Sequence, residues 1–250
     1  MPQDFLRTSD IAKAVGVHPN TVRLYEQWGY LPAIPRSSSG YRMFTEEHQE
    51  QMRLAWLALK YPYPGGKRVV LDLVIAASKG DLGRALELAY DYLAQIRAEQ
   101  AQTDAATVYL ERWVEGAAPE RLEHPLRIGE TARLLDLTEH MLRNWERDGL
   151  IAVGRNPDNG YRQYTGADIG RLRVIRTLRK AGYSTMAILR MIYQLDGGDA
   201  TNLRVALDTP GPNEDIVTVA DAWMSTLAAQ EQRALDVIAQ LERMIADKGG

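Results

Sequence analysis

Two clusters of hydrogen-bonding side chains are the main source of chemistry in this chain: His18, Asn20, Thr21 and Arg23, and, 120 residues on, Thr138, Glu139, His140 and Arg143. Each opens a short segment with helical apolar spacing, Val22 and Tyr25 in one and Leu142 and Trp145 in the other. Imidazole, amide, hydroxyl, carboxylate and guanidinium groups on one exposed helix face can exchange hydrogen bonds with base edges in a major groove. Other chemistries find little support. There is no cysteine, and the four histidines His18, His48, His124 and His140 have no ligand spacing, so neither a metal nor a cofactor is expected. Gly65-Gly66-Lys67 lacks the spacing and the following hydroxyl residue of a phosphate-binding loop. No paired-carboxylate, nucleophile–base or zinc-protease pattern occurs, and the chain is not expected to be an enzyme.

The elements that position these clusters recur. Leu6–Thr45 and Leu126–Thr165 align without gaps at a constant offset of 120, with ten identities in 40 positions. A period that long means two copies of a whole domain. In the first stretch Thr8 caps a helix ended by Gly16, and Pro19 opens a second that Gly29 ends. The second stretch repeats this over Ile128–Leu135, a turn at Asp136-Leu137, a cap at Thr138 and a stop at Gly149. Both are helix-turn-helix patterns. Polar tips follow, Ser37-Ser38-Ser39-Gly40 and Pro157-Asp158-Asn159-Gly160, the latter with the Asn-Gly pair of a β-hairpin, so each helix pair is expected to carry a hairpin wing. Thr45 and Thr165 then cap a third helix, with Asp168 completing a capping box in the second copy, and Thr185–Leu195 forms a fourth.

The residues resemble the MerR family of winged helix-turn-helix transcription regulators. The second copy has Arg143-Asn144-Trp145-Glu146-Arg147-Asp148-Gly149-Leu150 and Gly160-Tyr161-Arg162-Gln163-Tyr164; the first has Arg23-Leu24-Tyr25-Glu26-Gln27-Trp28-Gly29-Tyr30-Leu31 and Gly40-Tyr41-Arg42-Met43-Phe44. The resemblance implies that Arg23 and Arg143 touch DNA while Arg42 and Arg162, with Tyr41 and Tyr161, set the wings on phosphates. It also implies promoter DNA as partner, DNA distortion and dimerisation through a long C-terminal helix; a further reading is that one head has lost DNA binding and contacts RNA polymerase or another protein instead. Met141 replaces the family's threonine that Thr21 keeps, so the copies are expected to read different bases or to bind with unequal strength. Glu26 and Glu146, beside arginines, are expected to be ion-pair partners that orient them, and Tyr25 and Trp145 to be core.

Charge follows the same division. The net −3 splits into +1 over 1–60, −3 over 61–125, +5 over 126–190 and −6 over 191–250, a footprint of phosphate binding with acidic supporting segments. The acidic segments are read as helices. One runs from about Leu82 to Val114, the other over Val219–Ile245 with near-heptad Ala220, Leu227, Ala234 and Leu241 beside Met224, Ile238 and Ile245, broken by Glu231.

The expected architecture is therefore mainly α: a first winged helix-turn-helix domain over 1–75, a helical segment and linker over 76–125, a second such domain over 126–198 and a coiled-coil-like segment over 199–250. The two long helices of one chain could pair and mimic a homodimer. The ten-residue linker Gly116–Pro125 reaches at most about 35 Å, comparable with half-sites about 34–36 Å apart. A homodimer with four heads is the competing assembly. A second function class is a small-molecule sensor or sequestering resistance protein, with an apolar pocket between the units drawn from Trp56, Tyr61, Tyr63, Tyr90, Tyr92, Trp113, Tyr193 and Trp223. No leader and no apolar run of 18 residues is present, and a cytoplasmic protein is expected.

Overall fold

The structure is a computed structural model that describes residues 5–64, 66–116, 121–211 and 218–249. Gly65, residues 117–120 of the linker and the first four residues lie outside the described residues. Among the described residues, eleven α-helices and one two-stranded sheet divide into two compact units, Met1–Ala98 with Leu227–Gly250, and Glu99–Thr226. The mainly helical class expected from the sequence is what forms.

In the first unit α1 (Thr8–Val15) and α2 (Pro19–Gln27) are followed by α3 (Glu46–Ala58) and α4 (Lys67–Ser78). The helix starts one residue earlier than expected: Arg7, not Thr8, is the cap residue, because the Asp10 carboxylate accepts the Arg7 amide at 2.8 Å. Gly16 ends α1 in the left-handed conformation, φ 75°, and lets Val17 N–H reach back to Ala12 O at 2.9 Å. Ile11, Val22 and Tyr25 of α1 and α2 are buried with Leu31, Phe44, Met52, Leu54 and Leu73. Two buried polar side chains tie the end of α2 to the later helices: Gln51 donates to Tyr30 O and Val74 O, and Ser78 donates to Gly29 O. The same unit holds the first half of α5 (Leu82–Val114) and the last part of α11 (Trp223–Gly249). These run antiparallel, as the pairs Tyr90–Glu242 and Arg97–Glu231 require. Their seam buries Ala85, Leu88, Tyr92 and Ile96 against Ala234, Ile238 and Leu241. Two heptad assignments need correction. Val237 and Met244 are buried there, whereas Ile245 is 38% exposed, and residues 219–222 form a 3₁₀ turn ahead of α11.

The second unit places α6 (Ile128–Leu135), α7 (Glu139–Arg147), α8 (Gly166–Lys180), α9 (Thr185–Asp196) and α10 (Leu203–Asp208) around the second half of α5. Asp136 takes the place of Gly16, left-handed at φ 51°, and Leu137 N–H again reaches Ala132 O at 2.9 Å. Ala106 and Leu110 of α5 join Leu142, Trp145, Tyr164, Leu172, Tyr183 and Ile188 in one core. Both Tyr25 and Trp145 are therefore core residues, as expected. Thr103 donates to Ala181 O, and Trp223 Nε1 donates to the same carbonyl at 2.9 Å. Among the described residues no helix is long and apolar enough to cross a membrane, and no group of three His, Cys, Asp or Glu could hold a metal.

Candidate nucleic-acid interface

The second helix of each segment is held from both ends. His18 caps α2, its Nδ1 accepting the Asn20 amide at 3.2 Å, so the neutral ring carries its proton on Nε2. Thr138 caps α7, its hydroxyl accepting the Met141 amide at 3.1 Å. At the other end left-handed Gly29 and Gly149 close the helices, with Tyr30 N–H on Tyr25 O and Leu150 N–H on Trp145 O, both at 2.9 Å. Because Val22 and Tyr25, or Leu142 and Trp145, are buried, the opposite face of each helix is left to solvent. On that face lie His18, Asn20 and Arg23 in the first unit, with Thr21 half-buried, and Thr138, Glu139, His140 and Arg143 in the second. Arg23 donates to Asn20 Oδ1 at 2.8 Å and Arg143 to Glu139 Oε2 at 2.6 Å.

Behind each helix stands a turn-back of the chain. In the second unit it is a hairpin of β1 (Gly154–Arg155) and β2 (Arg162–Gln163), paired Gly154 with Gln163 and Arg155 with Arg162. In the first unit the ladder shrinks to a single bridge between Arg36 and Arg42. A further bridge in each unit, Leu6–Phe44 and Leu126–Tyr164, anchors the outgoing arm beside the strand that precedes the first helix. The tips are not the tight Asn-Gly turns the sequence suggests. Only Gly40 and Gly160 have positive φ there, and Asn156 Oδ1 spreads the second tip by accepting the amides of Asp158 and Asn159.

Glu26 and Glu146 do orient arginines, but not their neighbours Arg23 and Arg143. Glu26 accepts a hydrogen bond from Arg42 Nε–H at 2.6 Å and lies 3.8 Å from Arg36; Glu146 accepts one from Arg162 Nε–H at 2.5 Å and lies 3.9 Å from Arg155. A carboxylate on the Nε edge fixes the guanidinium plane, and the η nitrogens of Arg42 and Arg162 have no other hydrogen-bond partner among the described residues. Each clamp therefore holds a planar donor edge of the kind that matches an oxyanion. The Glu146 carboxylate holds the Arg162 guanidinium above its ordinary pKa against the opposing effect of burial. Tyr41 and Tyr161 stand outside it, 76% and 61% exposed. The Arg127 guanidinium lies 5.7 Å from the centre of the Tyr161 ring. In the second unit these side chains border a groove of about 690 Å³ lined by Arg127, Arg133, Arg143, Arg155, Arg162 and Tyr161.

Arg36 and Arg155 were missed as partners because the gapless offset misaligns them: Arg155 falls opposite Pro35. The structure shows a one-residue slip. Ser37 N–H to Tyr41 O and Asn156 N–H to Tyr161 O, both 2.8 Å, make Arg36 and Arg155 equivalent, and the shorter first tip restores the register at Gly40 and Gly160. The signal in the sequence was an arginine just before each polar tip. Of the eight aromatic residues expected to line a ligand pocket, five pack in or against the two cores. Tyr92 is buried in the first core, Trp56 and Tyr63 pack half-buried against it, and Trp113 and Trp223 pack against the second. Tyr61, Tyr90 and Tyr193 are exposed. None of the eight lines the arginine groove.

Comparison with known proteins follows the same two segments. Residues 7–44 match the family described as MerR family regulatory protein, and residues 126–195 match MerR HTH family regulatory protein. The nodulation protein NolA of Bradyrhizobium sp. (strain NC92) is 39% identical over 64 residues, 26% of this chain and 27% of the relative. The HTH-type transcriptional regulator ZntR of Escherichia coli (strain K12) is 32% identical over 66 residues, 26% of this chain and 47% of the relative. The mercuric resistance operon regulatory protein of Bacillus cereus is 26% identical over 121 residues, 48% of this chain and 80% of the relative. The chain thus spans about a quarter to a half of the length of the first two relatives. No solved structure matches it. Two separate segments of the chain, residues 7–44 and 126–195, are thus each similar to MerR-type regulatory proteins.

Proposed function

We propose that this chain is a sequence-specific double-stranded DNA-binding transcription regulator acting in the cytoplasm. The heads, residues 1–75 and 126–198, act as tandem winged helix-turn-helix domains. In this reading α2 and α7 enter major grooves, with His18, Asn20, Thr21 and Arg23, or Thr138, His140 and Arg143, facing base edges. Tyr41 with Arg42, and Tyr161 with Arg162, lie on backbone phosphates. The observation that carries the reading is the clamp built twice, an arginine held 2.6 or 2.5 Å from a carboxylate behind an exposed helix face. Phosphate contacts of this kind fix register, and the helix face then supplies specificity.

The reading extends to assembly. Within the first unit the apolar seams of α5 and α11 cover one another, so the face through which the family dimerises is filled by the chain's own helices. One polypeptide then serves as a pseudo-dimer that distorts promoter DNA for RNA polymerase, a deformation of order 1–10 kcal/mol. The test is titration of labelled duplexes across a salt series with competitor DNA, alongside the solution mass. A steep salt dependence and a sequence preference from a 28.1 kDa monomer is the expected result. Salt-independent or unselective binding refutes the DNA reading, and a mass near twice that value in the complex refutes the pseudo-dimer.

A further inference from the structure

The arginine on each exposed helix face is not free. It is held by a side chain from the preceding turn, and the two holders differ in chemistry: the Asn20 amide at 2.8 Å from Arg23, the Glu139 carboxylate at 2.6 Å from Arg143. Glu139 and Arg143 are both about half exposed, at 45% and 50%, and lie one turn apart, so they present together. The position 120 residues before Glu139 is Pro19, which starts a helix equally well, so helix formation alone does not call for a carboxylate there. The Arg143 ion pair uses one oxygen of that carboxylate, and on a helix that approaches phosphates the other is a repulsive element unless it meets a hydrogen-bond donor on the DNA.

The base edges offer such donors selectively. A carboxylate accepts only, and its match in the major groove is the cytosine N4 amine; an asparagine amide both donates and accepts, and matches adenine N6 and N7; arginine matches guanine O6 and N7. We propose that Glu139 and Arg143 act as one reading unit that selects a cytosine next to a guanine, whereas Asn20 and Arg23 select an adenine next to a guanine, so that the two half-sites of the operator differ. This inference rests on the DNA-binding reading above. Glu139 is then the specificity-determining residue of the second head and Asn20 that of the first.

The experiment is selection from a random duplex library with the full chain, sequenced for the wild type and for Glu139→Gln and Asn20→Ala. Both positions are exposed, and helix content by circular dichroism verifies that the variants fold. The expected wild-type product is an asymmetric motif. Glu139→Gln lowers the cytosine preference at one base pair of one half-site by about 10- to 100-fold, with adenine gaining there, and leaves the other half-site intact; Asn20→Ala relaxes one base pair of the other half-site alone. A wild-type motif that survives Glu139→Gln unchanged, or a variant that merely binds every sequence more tightly, overturns the inference while leaving the regulator reading standing. Failure of the wild type to enrich any motif overturns both.

Discussion

Replacing Glu146 by glutamine removes the charge that holds two hairpin arginines and almost nothing else. The pair it makes with Arg162 is short, 2.5 Å, and largely covered, with the side chains 21% and 27% exposed, so it counts as a charge-assisted hydrogen bond of about 1.5–3 kcal/mol. The contact with Arg155 is looser, 3.9 Å with Arg155 55% exposed, and adds at most about 1 kcal/mol. Domain stability should thus fall by about 2 kcal/mol, read as a lower denaturant midpoint. Binding falls for a separate reason. Each arginine released from the clamp has to be ordered again on the phosphate, about 0.5–1.5 kcal/mol per side chain, and the gain from deleting one screened negative charge offsets no more than about 1 kcal/mol of it. Fluorescence anisotropy at physiological salt should show the selected duplex bound about 5- to 50-fold more weakly, with random duplex weakened by a similar factor because a phosphate contact carries no sequence information. Selected duplex bound as tightly as by the wild type, with the destabilisation present, would mean that the carboxylate only props the fold and that the clamp reasoning is wrong. Glu26→Gln provides the same test in the first unit.

Three further outcomes follow from the second unit. Burial pushes the Asp221 carboxyl up, but the Ser184 hydroxyl, the Thr218 hydroxyl and amide and the Arg190 guanidinium together hold it below its ordinary value. Its contribution to stability is therefore complete above the ordinary carboxylate pKa and is lost as pH falls through the lower folded value; denaturation midpoints at decreasing pH should show this loss, and Asp221→Asn should remove it. Gly182 has φ +99°, and a Cβ there would meet Trp223 Nε1 at 2.5 Å, so Gly182→Ala should cost about 2–4 kcal/mol and shift Trp fluorescence; an unchanged melting temperature would contradict the packing. The Tyr164 hydroxyl is buried without a partner among the described residues, where the first segment has Phe44. Tyr164→Phe should therefore be neutral or stabilising by about 1 kcal/mol in calorimetry, and a clear loss would mean that the hydroxyl is bonded after all.

The helices were legible because their ends carry punctuation that acts locally. Gly16, Gly29 and Gly149 stand where the chain must turn left-handed, Pro19 fits a first helical turn, and Ile128–Leu135 and Leu82–Val114 appear as the sequence places them. What escaped depends on groups distant in sequence. Glu26 finds Arg42 and Glu146 finds Arg162, each 16 residues away, across a hairpin whose tip no dipeptide determines. The slip that equates Arg36 with Arg155 is invisible in a gapless alignment because a longer incoming arm and a shorter tip cancel. The seam of α11 was half right for a related reason: heptad spacing names two positions per turn pair, but Val237 and Met244 are buried in the first core while Ile245 is exposed, and only the surfaces packed around α11 decide that.

Under the proposed pairing the two heads are freed from the symmetry that a homodimer imposes, where one substitution changes both half-site readers at once. Each head can then settle its own balance between phosphate attraction and base reading. The second segment has moved toward attraction, with net +5 over 126–190 against +1 over 1–60, and five arginines on one groove. Strong phosphate attraction favours every sequence equally, so it raises affinity without raising discrimination. A carboxylate at the front of α7 acts in the opposite direction, weakening contacts with backbone while keeping a donor-specific one with a base. In that proposal Glu139 and the arginine groove are two parts of one compromise: the segment with the larger positive charge is the one that carries a carboxylate on its exposed helix face.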